Sequence, residues 1–209
     1  MNTDIHFINS IPLPVPERKI YSRLGHNRYL TKMSDGQKKK VETAIAQGVS
    51  FCELRGVWRR FDIKEMDSEK IEFSDNQVFT SAKLAEMLKG SSSLVLFAVT
   101  AGAYIVSKTS EAAAESEGVT ALVYDAVASE MTDAAAAWMQ QYLNQQFKRN
   151  KEILTKRRFS PGYGDLELKN QTVLFKLLDL EKLGIKLTDD FLMIPEKTVT
   201  AIAGIEKIN

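Results

Sequence analysis

An α+β fold is what this sequence predicts, built on a mixed, mainly antiparallel sheet with one long helix and several shorter ones. Apolar residues at Val123, Val127, Met131, Ala134, Trp138 and Tyr142 follow steps of three and four, a sustained helical stripe. Leu94-Val95-Leu96-Phe97-Ala98-Val99 is an unbroken apolar run of central-strand length. The other strand patterns come in hairpins rather than in regular strand–helix–strand units, which argues against a doubly wound sheet. A single domain over residues 1–209 is expected, with residues 1–16 as an extended N-terminal arm.

That arm follows from Pro12, Pro14 and Pro16, which lack the backbone donors a ladder needs. Residues 17–30 mix charges with Ile20, Tyr21, Leu24 and Tyr29, and their type is ambiguous. A polar helix is expected over residues 35–47, with Gly48 as its C-cap. Val57, Phe61 and Ile63 alternate unevenly among arginines, and a turn at Asp67-Ser68 before Ile71 and Phe73 completes a hairpin. Thr80 or Ser81 caps a short helix whose Leu84, Met87 and Leu88 share a face, and Lys89-Gly90 closes it. The run from Leu94 to Val106 reads as a buried strand entering a helix, being too short to span a bilayer. The longest helical pattern covers residues 120–154, and Ala134 to Ala137 offer a smooth surface for close packing. A further helix is expected over residues 171–182, capped by Asn170 and stopped by Gly184. Residues 191–194, a turn at Pro195-Glu196-Lys197 and residues 198–205 read as a hairpin closing the sheet.

Composition excludes several kinds of function. The net charge is +1, with 28 Lys+Arg against 27 Asp+Glu, so no global field favours nucleic acid or a membrane surface. Cys52 is the single cysteine, which fits a reducing cytoplasm and reads as a small core residue. The first residues lack the basic start and apolar core of a signal peptide. His6 and His26 give no zinc-type spacing with it. Lys148, Arg149, Lys151, Lys156, Arg157 and Arg158 form a basic stretch best read as a solvated helix end. Thr100-Ala101-Gly102 lacks the ending of a phosphate loop and reads as a turn. Glu130 and Asp133 are three apart and share a helix face. Asp133 abuts the alanine surface and needs a cationic partner, either a protein lysine or a ligand ammonium.

The least replaceable residues fall together in Arg158-Phe159-Ser160-Pro161-Gly162-Tyr163-Gly164-Asp165. Arg158 offers a planar fork of donors suited to a carboxylate. Pro161 biases Ser160 towards an extended backbone, and Gly162 lets a flat ligand approach the chain. Tyr163 is either a core residue or a contact. The chemistry that fits is a small anionic molecule with a planar ring.

This segment resembles the Arg-x-x-x-Gly-Tyr signature of the activation domain of cobalamin-dependent methionine synthase. Leu174 to Asp179, Gly184 to Pro195 and Thr198-Val199-Thr200 are similar to that family's successive C-terminal blocks, in order and spacing, over about the last fifty residues. The long helix sits where the family carries an acidic ligand contact, and Asp133 is the matching position. Residues 1–118 show no block match, and the family's acidic contact near its domain start has no counterpart here. Ala201-Ile202-Ala203-Gly204 stands where the family carries bulky aromatics. Asp4-Ile5-His6-Phe7-Ile8-Asn9 has Asn9 where a cobalamin-ligand motif requires glycine, so His6 is not read as a ligand.

The resemblance implies an S-adenosylmethionine site made of Arg158, Ser160, Gly162, Tyr163 and Asp133, with no catalytic or metal-ligating residue. It implies reductive methylation, in which one electron reduces an inactive cob(II)alamin and S-adenosylmethionine then supplies the methyl group. The cobalamin would be carried by a partner, a cobalamin-binding methionine synthase subunit or another corrinoid protein. The electron would come from flavodoxin or another low-potential donor. The expectation is a free-standing activation module acting in trans, against the alternative of a docking module that no longer binds S-adenosylmethionine.

Overall fold

The computed structural model of the protein describes residues 4–25, 33–74 and 77–208. The first half runs β1 (His6–Ile8), α1 (Glu17–Arg23), α2 (Asp35–Phe51), β2 (Arg55–Met66), β3 (Lys70–Phe73), β4 (Gln77–Thr80), α3 (Ala82–Leu88) and β5 (Ser93–Thr100). The second half continues with α4 (Ala103–Ala114), α5 (Gly118–Lys148), β6 (Glu152–Leu154), α6 (Gln171–Leu177), β7 (Lys186–Leu187), β8 (Met193–Ile194) and β9 (Thr198–Lys207). Tight 3-10 turns occupy Leu168–Asn170 and Leu180–Leu183.

Seven strands make one sheet in the order β4-β3-β2-β5-β9-β6, with β1 on the edge of β2. Every pairing among the described strands is antiparallel. The central strand explains the layering. All eight residues of β5 are buried. Val95, Phe97 and Val99 join the cluster beneath α2, α4 and α5, while Leu94, Leu96 and Ala98 join the cluster beneath α3 and α6. A strand buried on both faces shows no polar alternation, which is why its sequence reads as one apolar run. The α+β class holds, with helices on both sides of the sheet.

The N-terminal arm contributes to this sheet, because β1 pairs His6, Phe7 and Ile8 with Trp58, Val57 and Gly56. Ile11 is buried, and its N–H donates to Leu54 O at 2.9 Å. Of the ambiguous residues 17–30, the first part is α1, and residues 26–30, with His26 and Tyr29, lie outside the described residues.

Several expected boundaries move. Gly48 does not cap α2, which continues to Phe51. A Cβ there would stand 3.2 Å from Tyr124 Cδ1 and 3.3 Å from Val127 Cβ, so this glycine marks a close helix–helix approach. The long helix ends at Lys148 and the chain turns through Lys151 (φ +56°) into β6, so residues 152–154 are strand. Its buried stripe drifts from the expected one: after Met131 it passes through Ala135, Ala136, Met139, Leu143 and Phe147. Trp138 and Tyr142 stack on each other at 5.1 Å, half-buried beside it. Ala137 is exposed, whereas Ala135 and Ala136 share a buried cluster with Ala201 and Ala203 of β9. Small residues on both elements bring helix and strand together.

The helix expected over residues 171–182 is broken at Asp179, whose left-handed backbone (φ +51°) separates α6 from the following 3-10 turn. Gly184 (φ +74°) does stop that turn. The C-terminal hairpin is not observed. β8 pairs with β7, since one edge of β9 is filled by β5 and the other by β6 and Phe159.

Candidate functional site

The signature segment is laid along the free edge of β9. Phe159 and Ile202 exchange both backbone hydrogen bonds, at 2.8 and 2.7 Å. Ser160 Oγ then donates to Thr200 O at 2.6 Å, which fixes the chain as it leaves the strand. The loop closes on itself through Gly162 N–H to Leu166 O at 2.8 Å and Tyr163 N–H to Ser160 O at 3.1 Å. Its far end is tied to α3, where Asp165 accepts from the Ser81 hydroxyl and from Lys83 N–H. Those donors, the Ser81 hydroxyl foremost, hold the Asp165 carboxyl below the usual carboxylate range.

This loop walls an open pocket of about 970 Å3. Arg157, Arg158, Phe159, Ser160, Pro161 and Tyr163 line one side, with Asp133 from α5, Gln171 from α6 and Thr198, Val199 and Thr200 from β9. The α3 residues Lys83, Glu86 and Met87 complete it. The structure therefore brings Asp133 of α5 into one pocket with Arg158, Ser160 and Tyr163 of the loop.

Each sits in a defined environment. Arg158 is half-buried, and its Nη1 donates to Gln140 Oε1 at a long 3.4 Å. Gln140 is itself anchored by Nε2 donating to Thr155 O at 3.0 Å. Tyr163 is 70% exposed, which removes it from the core. Gly162 does not line the pocket. Its φ of +90° is the reason for glycine, and a Cβ would meet Leu168 Cδ1 at 3.1 Å. It shapes the turn and does not open the backbone to a ligand.

Asp133 has a protein partner, and it is an arginine, where the sequence left a protein lysine or a ligand ammonium as the alternatives. Arg23 of α1 reaches it with Nη2 at 3.6 Å, while Arg23 Nε donates to buried Glu130 at 2.7 Å. The two carboxylates on one helix face thus converge on one arginine. Lys197 is taken by Asp125 at 2.7 Å. Asp133 is nonetheless half-exposed and faces the pocket, so part of its carboxylate remains open.

Arg157, read from the sequence as part of a solvated basic helix end, is exposed but lies on the pocket wall too. Sequence reading missed Lys83, Glu86, Met87 and Gln171. Their residue types are ordinary for helix surfaces, and it is the Asp165–Ser81 tie that brings α3 against the loop. Elsewhere, His6 stacks on Trp58 at 4.1 Å. Burial pushes the Cys52 thiol up to about 12. Among the described residues no group of His, Cys, Asp and Glu is arranged to hold a metal ion, and no helix is long and apolar enough to cross a membrane.

Comparison with known proteins adds two findings. The sequence pattern of the family described as vitamin B12-dependent methionine synthase, activation domain, matches residues 75–207. The match starts well ahead of residue 119, reaching the β4 and α3 region where the sequence alone showed no block. Among solved structures, the crystal structure of the MetH reactivation domain bound to AdoHcy is similar, with a TM-score of 0.66 at 15% identity. The likeness covers 96% of this chain and 78% of that one. No curated protein matches.

Proposed function

The chain belongs to the vitamin B12-dependent methionine synthase activation-domain family, and from that premise we propose that it binds S-adenosylmethionine and supports reductive methylation of a cobalamin held by a separate protein. The observation that carries this reading is the meeting of Arg158, Ser160, Tyr163 and Asp133 around one pocket. At about 970 Å3 the pocket is large enough for a nucleoside joined to an amino acid. Its side chains fit a zwitterion with an apolar body, with a guanidinium and a carboxylate among Phe159, Met87 and Val199.

When bound, S-adenosylmethionine supplies an electrophilic methyl group on a sulfonium. The roles of this chain's residues follow from their chemistry. Arg158 holds the ligand carboxylate with its planar fork. The open side of Asp133 faces the ammonium, or the sulfonium beside it. Ser160, fixed on Thr200, and the Gly162 turn set the course of the loop, and Tyr163 covers the ligand from the solvent side. Methyl transfer from a sulfonium moves no proton, so these residues orient the ligand and exclude water.

The methyl acceptor would be the corrinoid of a methionine synthase subunit or of another corrinoid protein, reduced by flavodoxin or a similar low-potential donor. The reactivation-domain fold takes up 96% of this chain, so the corrinoid is expected on another folded unit. The test mixes the chain with a cobalamin-loaded partner, a low-potential reductant and S-adenosylmethionine. Methylcobalamin should appear in the visible spectrum only when all four are present. Methyl transfer by the chain alone to a non-corrinoid acceptor would overturn the reading.

A further inference from the structure

Gln171 lines the pocket from the first turn of α6, outside the signature segment and the long helix. Its amide is not free to rotate. Thr200 Oγ1 donates to Gln171 Oε1 at 2.8 Å, and Thr200 is itself buried in β9. A hydroxyl that donates to the amide oxygen leaves the amide NH2 as the other end of the group. No protein partner is found for that NH2 among the described residues, and it is not sealed off from solvent. Thr200 also accepts the Ser160 hydroxyl on its carbonyl oxygen at 2.6 Å. One threonine thereby sets both the signature loop and the amide.

The charged groups assigned to the amino-acid end, Asp133 and the Arg158 that leans on Gln140, belong to the α5 side. Gln171 approaches from α6. We propose that Gln171 is a specificity-determining residue: its oriented amide N–H donates to an acceptor atom on the adenosyl part of the ligand, a ring nitrogen or a ribose oxygen. This rests on the S-adenosylmethionine reading above.

Three variants separate a donor from a structural linker. Q171E keeps an oxygen for the Thr200 hydroxyl and loses the donor. Q171M loses both without adding charge. T200V removes the link and keeps the donor. Affinity is read by calorimetry with S-adenosylmethionine and with uncharged 5′-deoxy-5′-methylthioadenosine, so that attraction between the Q171E carboxylate and the ligand's cationic groups cannot mask the loss, and Q171M removes the donor with no charge at all. A donor role predicts that Q171E and Q171M each weaken both ligands about three- to tenfold, and T200V no more than either. Wild-type affinity in Q171E for the uncharged ligand, with Q171M and T200V weakened alike, would overturn the proposal and leave Gln171 a linker. Wild-type affinity in all three variants would overturn it as well. Failure of the wild-type chain to bind S-adenosylmethionine would be a failure of the functional reading and is seen before any variant is made.

Discussion

Arg158 rests against Gln140, two helical turns beyond Asp133 on α5, so the cation and the acid of the pocket are referenced to the same helix. The bond is long, at 3.4 Å, and is made to a neutral acceptor. A ligand carboxylate would be a stronger partner for the guanidinium. R158A should therefore cost about 1.5–3 kcal/mol of binding, roughly tenfold to over a hundredfold. R158K should recover part of this, since the fork is lost. R157A should lose less than R158A, because Arg157 is exposed at the pocket wall. Titration calorimetry on the three proteins, with melting curves to confirm folding, checks the order.

Gly162 is expected to act through the backbone. Its φ of +90° is strained for any other residue, and Leu168 stands 3.1 Å from the position of a Cβ. G162V should remove binding while the two buried clusters, which do not include it, keep most of the stability. Tyr163 is exposed, so Y163F should leave the melting temperature unchanged and lower affinity only where the hydroxyl meets ligand.

Arg23 ties α1 to α5 through Glu130, which is 8% exposed. R23A would strand a buried carboxylate, at a cost of about 1–3 kcal/mol of folding stability. Urea denaturation reads this. A double variant, R23A with E130Q, should regain part of the loss.

Asp165 gives a pH signature. Its folded carboxyl lies below its ordinary value because Ser81 and backbone N–H groups of α3 favour the charged form. Its contribution is therefore complete above the ordinary carboxylate range and is lost as pH falls through the depressed folded value. The melting temperatures of wild type and D165N should differ at neutral pH and converge in acid.

The parts of this molecule that were legible in the sequence are those where local chemistry decides. The cap of α3, narrowed in the sequence to Thr80 or Ser81, the buried run of β5 and a chain stop at Gly184 each follow from residue type. The signature loop was legible through family pattern, and its Arg158, Ser160 and Tyr163 line one pocket while Gly162 shapes the turn behind it. What stayed hidden depends on partners distant in the chain. Gly48 looks like a helix stop until Tyr124 and Val127 are found against it. Residues 191–194 look like half of a hairpin until β5, β6 and Phe159 are seen to fill both edges of β9. Asp133 was expected to meet a lysine or a ligand, and its partner Arg23 comes from a segment whose type the sequence left ambiguous. Gln171 carries no local signal at all, and only its bond to Thr200 marks it.

The central claim is that this pocket takes S-adenosylmethionine, and titrating the ligand into the wild-type chain tests it most directly. The account predicts saturable heat at one site per chain, strongly reduced in R158A with the fold intact. Absence of heat at millimolar ligand, or binding that R158A leaves unchanged, would contradict it.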